Sequence, residues 1–325
     1  RESPDFLLLA GDVYNQEDAS VSAQLALRDG FRRLESLSIP VFLVHGNHDP
    51  LASRLRSVRW PGNVTVFGEL PDAVPVFRKG EGTPLAIIHG ASHASGRETR
   101  NLAALFRRTE ACGLHVGLLH ATPGDADGVA RYAPFSQGDL KASGMDYWAL
   151  GHIHDRREVC REPLAAYPGC TQGLHINEPG EKGCLLVTAE ARPDGGYAVR
   201  TSFRPLGPAV WKTLDMDLGG AASLDELENR LRTGLDRAAA EVWSGCEMLL
   251  VRLRLQGRTE LDGLLRKGTT CAELADRLRE DGSGVPRIWI KDIDVATRPC
   301  VERGALLERE DLLGEVFRLS EAART

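Results

Sequence analysis

The sequence has no CxxC pair, and its seven cysteines lie scattered at 112, 160, 170, 184, 246, 271 and 300. That excludes a thiolate zinc knuckle. The odd count fits free thiols in a reducing cytoplasm better than a disulfide scaffold, so a cytoplasmic protein is expected. No apolar run approaches the roughly 20 residues that cross a bilayer, and no secretory leader appears, so no membrane partner is expected. There is no internal repeat and no low-complexity tract. Positive charge is not in excess either: the formal net charge of −6 opposes general nucleic-acid binding, which needs local Lys and Arg, but does not exclude it if bound divalent metals add charge. The arginine-dense stretches, Arg28, Arg32 and Arg33, then Arg97, Arg100, Arg107 and Arg108, read as solvated helix faces. The chain starts at Arg1 and reaches an apolar strand by Phe6, so it reads as a trimmed piece of a longer protein.

What is present is ordinary globular material, 325 residues with 42% hydrophobic and 26% charged residues, enough for two domains. Short apolar runs alternate with helical patterns over the first half. Phe6 to Ala10 ends in Gly-Asp, residues 21–36 carry helical spacing, and Val41 to Val44 ends in His-Gly-Asn-His-Asp. Leu85 to Ile88 ends in His-Gly, residues 99–111 read as a helix, Val116 to Leu119 ends in His120, and Tyr147 to Leu150 ends in Gly-His-Ile-His. Continuous apolar strands between helices predict an α/β fold of parallel strands covered on both faces. Ligands bind beyond the carboxyl ends of such strands, so the polar junctions converge on one rim.

From 159 to 204 the texture is hairpin-rich, with turns at Pro168-Gly169, Pro179-Gly180 and Asp194-Gly195-Gly196. Pro205 and Pro208 mark a boundary, giving domains at 1–204 and 205–325. The second part predicts a strand near 212–218, a helix from Ser223 to Trp243 opened by a Ser223/Glu226 capping box, and a strand at 248–255. A helix near 270–280, a strand at 288–293 and a last helix near 309–319 follow: a small α+β domain.

All nine histidines fall between residues 45 and 175. His45, His48, His89, His120, His152 and His154 sit at strand ends beside Asp12 and Asn47. Packing alone explains such a gathering poorly, since each buried ring needs its own partner. Carboxylate, amide oxygen and imidazole together suit Mn, Fe or Zn.

Gly11-Asp12, Gly46-Asn47-His48-Asp49, His120 and Gly151-His152-Ile153-His154, in that order, resemble the calcineurin-like metallophosphoesterase signature. The resemblance implies an αββα sandwich of two mixed sheets with a smaller C-terminal α+β capping domain. It implies two divalent metal ions, with manganese first and iron or zinc as alternatives, about 4 Å apart, activating a water-derived hydroxide. Asp12 would bridge both, Asn47, His120 and His152 would complete the second site, and His154 would serve the first. His48 would meet the phosphate and protonate the leaving oxygen. The family's opening Asp-x-His motif is absent, so the first site is expected to be incomplete. Asn15 stands where many relatives have an aspartate that orients the catalytic histidine. Asp49, His89 and His175 are candidates for supporting or substrate contacts, and His45 for packing or support.

The run from Tyr167 to Gly183, with Leu118-Leu119-His120, resembles the SbcD-type and YhaO-type DNA exonucleases. That implies DNA as substrate, an SbcC-like ATPase as partner, homodimerisation, and a capping domain that positions DNA through residues such as Arg252, Arg254, Arg258, Arg266 and Lys267. Two other readings stand beside it: a phosphodiesterase or phosphatase for a small nucleotide-like substrate, and a non-catalytic scaffold that binds DNA or an ATPase.

Overall fold

The computed structural model describes residues 3–15, 20–53, 58–126, 130–280, 284–300 and 303–323. They form two compact units. Unit 1 comprises Arg1–Thr171 with Gly183–Pro205, and unit 2 comprises Gln172–Lys182 with Leu206–Thr325.

Unit 1 begins with β1 (Leu7–Ala10), α1 (Val21–Ser36), β2 (Val41–Val44) and β3 (Val64–Val66), which build a parallel sheet in the order β1-β2-β3. The period of two in β1 decides its packing. Leu7 and Leu9 face α1 around Phe31, while Leu8 and Ala10 face the opposite way. Ser20 starts α1 by accepting the Ala23 N–H at 3.2 Å.

A larger sheet follows from β4 (Asp72–Val76), β5 (Ala86–Ala91), β6 (Leu114–His120), β7 (Tyr147–Gly151), β8 (Arg157–Arg161) and β9 (Leu164–Tyr167), in the order β4-β5-β6-β7-β9-β8. Its inner strands are parallel and both edge strands antiparallel. Phe42, Val44 and Phe67 from the small-sheet side share one core with Ile88, Val116, Leu118 and Tyr147 of the large sheet. Val187 and Val199 of an antiparallel hairpin, β10 (Gly183–Ala191) and β11 (Tyr197–Pro205), pack against it. On the far face Leu119, Trp148 and Leu150 meet Phe106 and Leu140, the latter from α2 (Gln137–Ala142). The layers therefore run helix, sheet, sheet, helix. Each fully buried leucine contributes about 1.5–3 kcal/mol over an exposed one, before entropy is charged.

Unit 2 contains β12 (Ala209–Asp217), α3 (Leu224–Ala240), β13 (Met248–Gln256), β14 (Arg258–Thr259), α4 (Asp262–Leu265), α5 (Gly268–Glu280), β15 (Arg287–Val295), β16 (Arg298–Pro299), α6 (Arg303–Leu307) and α7 (Leu312–Ala322). Its sheet is parallel in the order β12-β13-β15. Each crossover steps one strand the same way, so right-handed connections put both long helices on one face. Leu227, Leu231 and Leu235 of α3 and Leu278 of α5 fill that face against Leu249, Val251, Leu253 and Ile290.

Two local expectations change. Residues 99–111 hold only a single 3-10 turn, Ala103–Leu105. Leu102, Ala103 and Phe106 are all fully buried. Asn101 Oδ1 instead accepts the Ala104 N–H at 3.1 Å, and the Arg107 guanidinium donates to the carbonyls of Ala104 and Phe106. At α3, Ser223 accepts the Glu226 N–H as expected, but the Glu226 carboxylate takes the N–H of Ala222, one residue before the cap. The reciprocal box belongs to Ser136 and Asp139 at the start of α2.

Candidate metal centre

Four strand ends of unit 1 meet at one point. β1 leads into Asp12, β2 into Asn47, β6 ends on His120, and β7 leads into His152. They approach closely because glycine stands at the contacts. A Cβ on Gly46 would lie 2.1 Å from Asp12 Oδ1, and one on Gly151 would lie 1.7 Å from the Ala10 carbonyl oxygen. No residue with a side chain fits either place without moving the neighbouring strand end.

The ligand atoms of Asp12, His120 and His152 lie within 4.8 Å of one another. His120 Nε2 is 3.2 Å from Asp12 Oδ2 and 3.0 Å from Asn47 Oδ1, and His152 Nδ1 is 3.2 Å from the same Asn47 oxygen. The outer ring nitrogens set the tautomers. His120 Nδ1 donates to the Ala10 carbonyl at 2.9 Å, and His152 Nε2 donates to the Ala130 carbonyl at 3.2 Å. Carbonyls only accept, so these outer nitrogens carry protons, and a ring in its neutral form turns the lone pair of its other nitrogen inward. A carboxylate oxygen, an amide oxygen and two imidazole lone pairs then face one another, which a divalent cation would reconcile. The donor set fits Mn, Fe or Zn and lacks thiolate.

Burial pushes the Asp12 carboxyl up, but the hydrogen bond and charge of His120 and the His48 main-chain N–H outweigh it and hold the group below its ordinary value. Burial, then the charge of His120, lowers the His152 imidazole to about 4, so it is neutral at neutral pH. Two of these residues also sit on strained backbone, Asp12 at φ 49° and His152 at φ 104°.

Asp49 is 1% exposed and holds two loops together. Its carboxylate accepts the N–H groups of Asp12 at 3.1 Å, Val13 at 3.0 Å and Gly46 at 2.8 Å. His45 Nδ1 lies 3.7 Å from the same carboxylate. His48 is exposed, and its N–H donates to Asp12 Oδ1 at 2.9 Å. Asn15 is also exposed.

The other candidates are not among the three members of the Asp12 group. His154 is not one of its three members, and its carbonyl accepts the Cys170 N–H. His175 belongs to unit 2, where it lies 3.6 Å from Glu178 three residues on. His89, expected at the rim, lies inside β5, because that strand continues to Ala91. It is buried and stacked on His115, with His89 Nε2 2.9 Å from His115 Nδ1. Burial first, then the charges of His115 and Arg108, lowers it to about 4.

Sequence reasoning missed His93, which is fully buried and bonded to the His120 carbonyl. It also missed the carbonyls of Ala10 and Ala130. Main-chain groups carry no signal in a one-letter string, and His93 lies outside the motifs.

The family model described as calcineurin-like phosphoesterase matches residues 1–156, and that described as metallophosphoesterase YhaO, middle domain, matches residues 211–298. The chain is 36% identical over 302 residues to the uncharacterized metallophosphoesterase YhaO of Bacillus subtilis, covering 91% of this chain and 71% of that protein. It is 28% identical over 271 residues to the DNA double-strand break repair protein Mre11 of Aeropyrum pernix, covering 74% of this chain and 60% of that one. With the Mre11 of Haloferax volcanii it shares 24% identity over 341 residues, 98% of this chain and 69% of that protein.

Proposed function

The chain belongs to the calcineurin-like metallophosphoesterase family, in its YhaO- and Mre11-like branch, and from that premise we propose that it hydrolyses phosphodiester bonds in DNA as an exonuclease. The observation that carries the reading is the convergence of Asp12, Asn47, His120 and His152 beside exposed His48. Those four residues would hold one divalent ion, manganese first among the fitting metals, and His154 would serve a second. A bound divalent ion supplies Lewis-acid charge to the phosphoryl oxygens. His48 has its main chain fixed on Asp12 and its side chain in solvent, which supports a role in meeting the phosphate and protonating the leaving oxygen. Asp49 keeps the Asp12 and Asn47 loops in register while this happens.

DNA is supported by the description of the Mre11 relatives as DNA double-strand break repair proteins. A nucleotide-sized diester remains the second reading, and one observation favours it. Arg252 pairs with Asp292, Arg254 lies near Asp215 and Asp294, and Arg266 pairs with Asp262, so carboxylates offset charge that would otherwise hold a DNA backbone. An SbcC-like ATPase and a second copy of the chain remain proposed partners.

The test is cleavage by the purified chain with manganese. End-labelled single-stranded and duplex DNA, bis-p-nitrophenyl phosphate and cyclic nucleotides would be compared, with chelator and Asp12→Asn as controls. Stepwise shortening of DNA that both controls abolish is expected. Turnover of small diesters with DNA left intact would overturn the DNA assignment and favour the second reading.

A further inference from the structure

His93 sits two residues beyond β5 with 0% of its surface exposed. Its main chain brackets the segment that carries Asn47, His48 and Asp49. The His93 N–H donates to the His45 carbonyl at 3.0 Å, and the His93 carbonyl accepts the Leu51 N–H at 3.0 Å. The preceding Ser92 hydroxyl accepts the His45 N–H at 2.9 Å and donates to the Phe67 carbonyl at 2.6 Å. One dipeptide thus clasps both ends of the loop.

The ring of His93 reaches the other side of the site. Its Nε2 lies 2.6 Å from the His120 carbonyl oxygen, and its plane stands at 87° to the His120 ring with centroids 5.2 Å apart. The carbonyl can only accept, so Nε2 carries the proton and Nδ1 is left as an acceptor. That Nδ1 is buried and has no hydrogen-bond partner among the described residues. A buried polar atom left unmatched costs about 1–3 kcal/mol, which an apolar side chain of similar size would avoid. The imidazole is therefore an expensive way to fill the space, and what it adds over an apolar residue is the N–H to His120.

We infer that His93 is a positioning residue for the metal centre, its Nε2–H fixing the main chain of His120 relative to the loop that carries Asn47 and His48. The inference rests on the reading of Asp12, Asn47, His120 and His152 as the ligand set. His120 is then held twice, at ring Nδ1 by Ala10 and at its carbonyl by His93. Loss of the second hold leaves ligand identity intact but loosens the distance between His120 Nε2 and Asn47 Oδ1. Partners one shell out from a metal typically change its affinity by about 10–100-fold.

The test compares His93→Gln, whose amide N–H reaches nearly as far, with His93→Leu, of similar volume but without a donor. His93→Asn, which keeps a donor too short to reach, serves in its place if the leucine variant does not fold. Manganese binding by titration calorimetry is the first readout, and kcat and KM on bis-p-nitrophenyl phosphate the second. Leucine or asparagine should weaken manganese binding about tenfold or more and lower kcat with KM within twofold of the parent, while glutamine restores most of both. Equal impairment by glutamine and leucine, or parental manganese affinity in the leucine variant, would overturn the inference. If the parent binds manganese but cleaves no diester, the proposed activity fails while the calorimetric comparison still decides the role of His93.

Discussion

The Asp49 carboxylate accepts the main-chain N–H of Asp12 at 3.1 Å, although the two residues lie in loops after different strands of the small sheet. The same carboxylate takes the N–H groups of Val13 and Gly46. An amide in its place keeps one oxygen and, with that oxygen toward Asp12 and Gly46, turns its NH2 against the Val13 N–H. Asp49→Asn should therefore lower stability by about 2–4 kcal/mol, since hydrogen bonds to a buried charged acceptor are each worth about 1.5–3 kcal/mol. Urea unfolding of metal-free protein measures this, and a loss under about 0.5 kcal/mol would show that the carboxylate is not what holds the loops.

His48 is expected to act on the substrate and not to bind metal. Replacing it with alanine should leave manganese affinity near the parental value and lower turnover by about 10²–10⁴-fold. Metal titration beside diester hydrolysis separates the two roles. Loss of manganese in His48→Ala would move this residue into the ligand set.

His89 gives a pH dependence that is independent of the metal centre. Its folded value of about 4 lies below the ordinary 6.5. Between those values the unfolded chain binds a proton that the folded chain refuses. Stability from this group is complete above about pH 6.5 and is lost as pH falls toward 4, by roughly 3 kcal/mol in all. His93 and His152 titrate low as well, so the quantity to measure is the difference between the parent and His89→Gln. Urea midpoints in chelator at pH 7, 5.5 and 4.5 should converge for the two proteins as pH falls. A constant gap would mean that His89 keeps an ordinary value in the fold.

Arg252 and Arg254 are expected to contribute little to substrate binding. Each faces a carboxylate on a neighbouring strand, and exposed pairs of this kind are worth about 0–1 kcal/mol. The double alanine variant should change DNA cleavage and bis-p-nitrophenyl phosphate hydrolysis alike, within about threefold. A selective loss on DNA, with a shallower salt dependence, would identify them as phosphate contacts.

Much of the site was legible because its chemistry sits in contiguous motifs at strand ends. Gly-Asp, Gly-Asn-His-Asp and Gly-His-Ile-His each put a ligand type beside the glycine that lets strand ends touch. His89 shows where such reading stops. A histidine after an apolar run looks the same at a rim as inside a strand, and only pairing through Ala91 tells them apart. The 99–111 segment shows the other limit. Its residues favour helix locally, but burial of Leu102, Ala103 and Phe106 in the core of unit 1 outweighs a propensity worth tenths of a kcal/mol per residue. Unit 2 was legible only as a small α+β domain; its parallel order and the carboxylates opposite its arginines emerged from the register between strands.

His152 stands at φ 104°, where glycine is at ease and an L side chain costs about 1–3 kcal/mol. In the metal-free fold only the ring's own contacts, its bond to the Ala130 carbonyl among them, stand against that cost. His152→Gly should raise the melting temperature of the metal-free protein while removing a proposed ligand, so stability and the proposed metal capture pull this position in opposite directions. A population of such chains freed from the demand for hydrolysis would drift toward glycine at 152 by gaining robustness. Any selection for heat tolerance alone, in a laboratory or a hot environment, carries the same hazard of erasing the reactive centre while improving the scaffold around it.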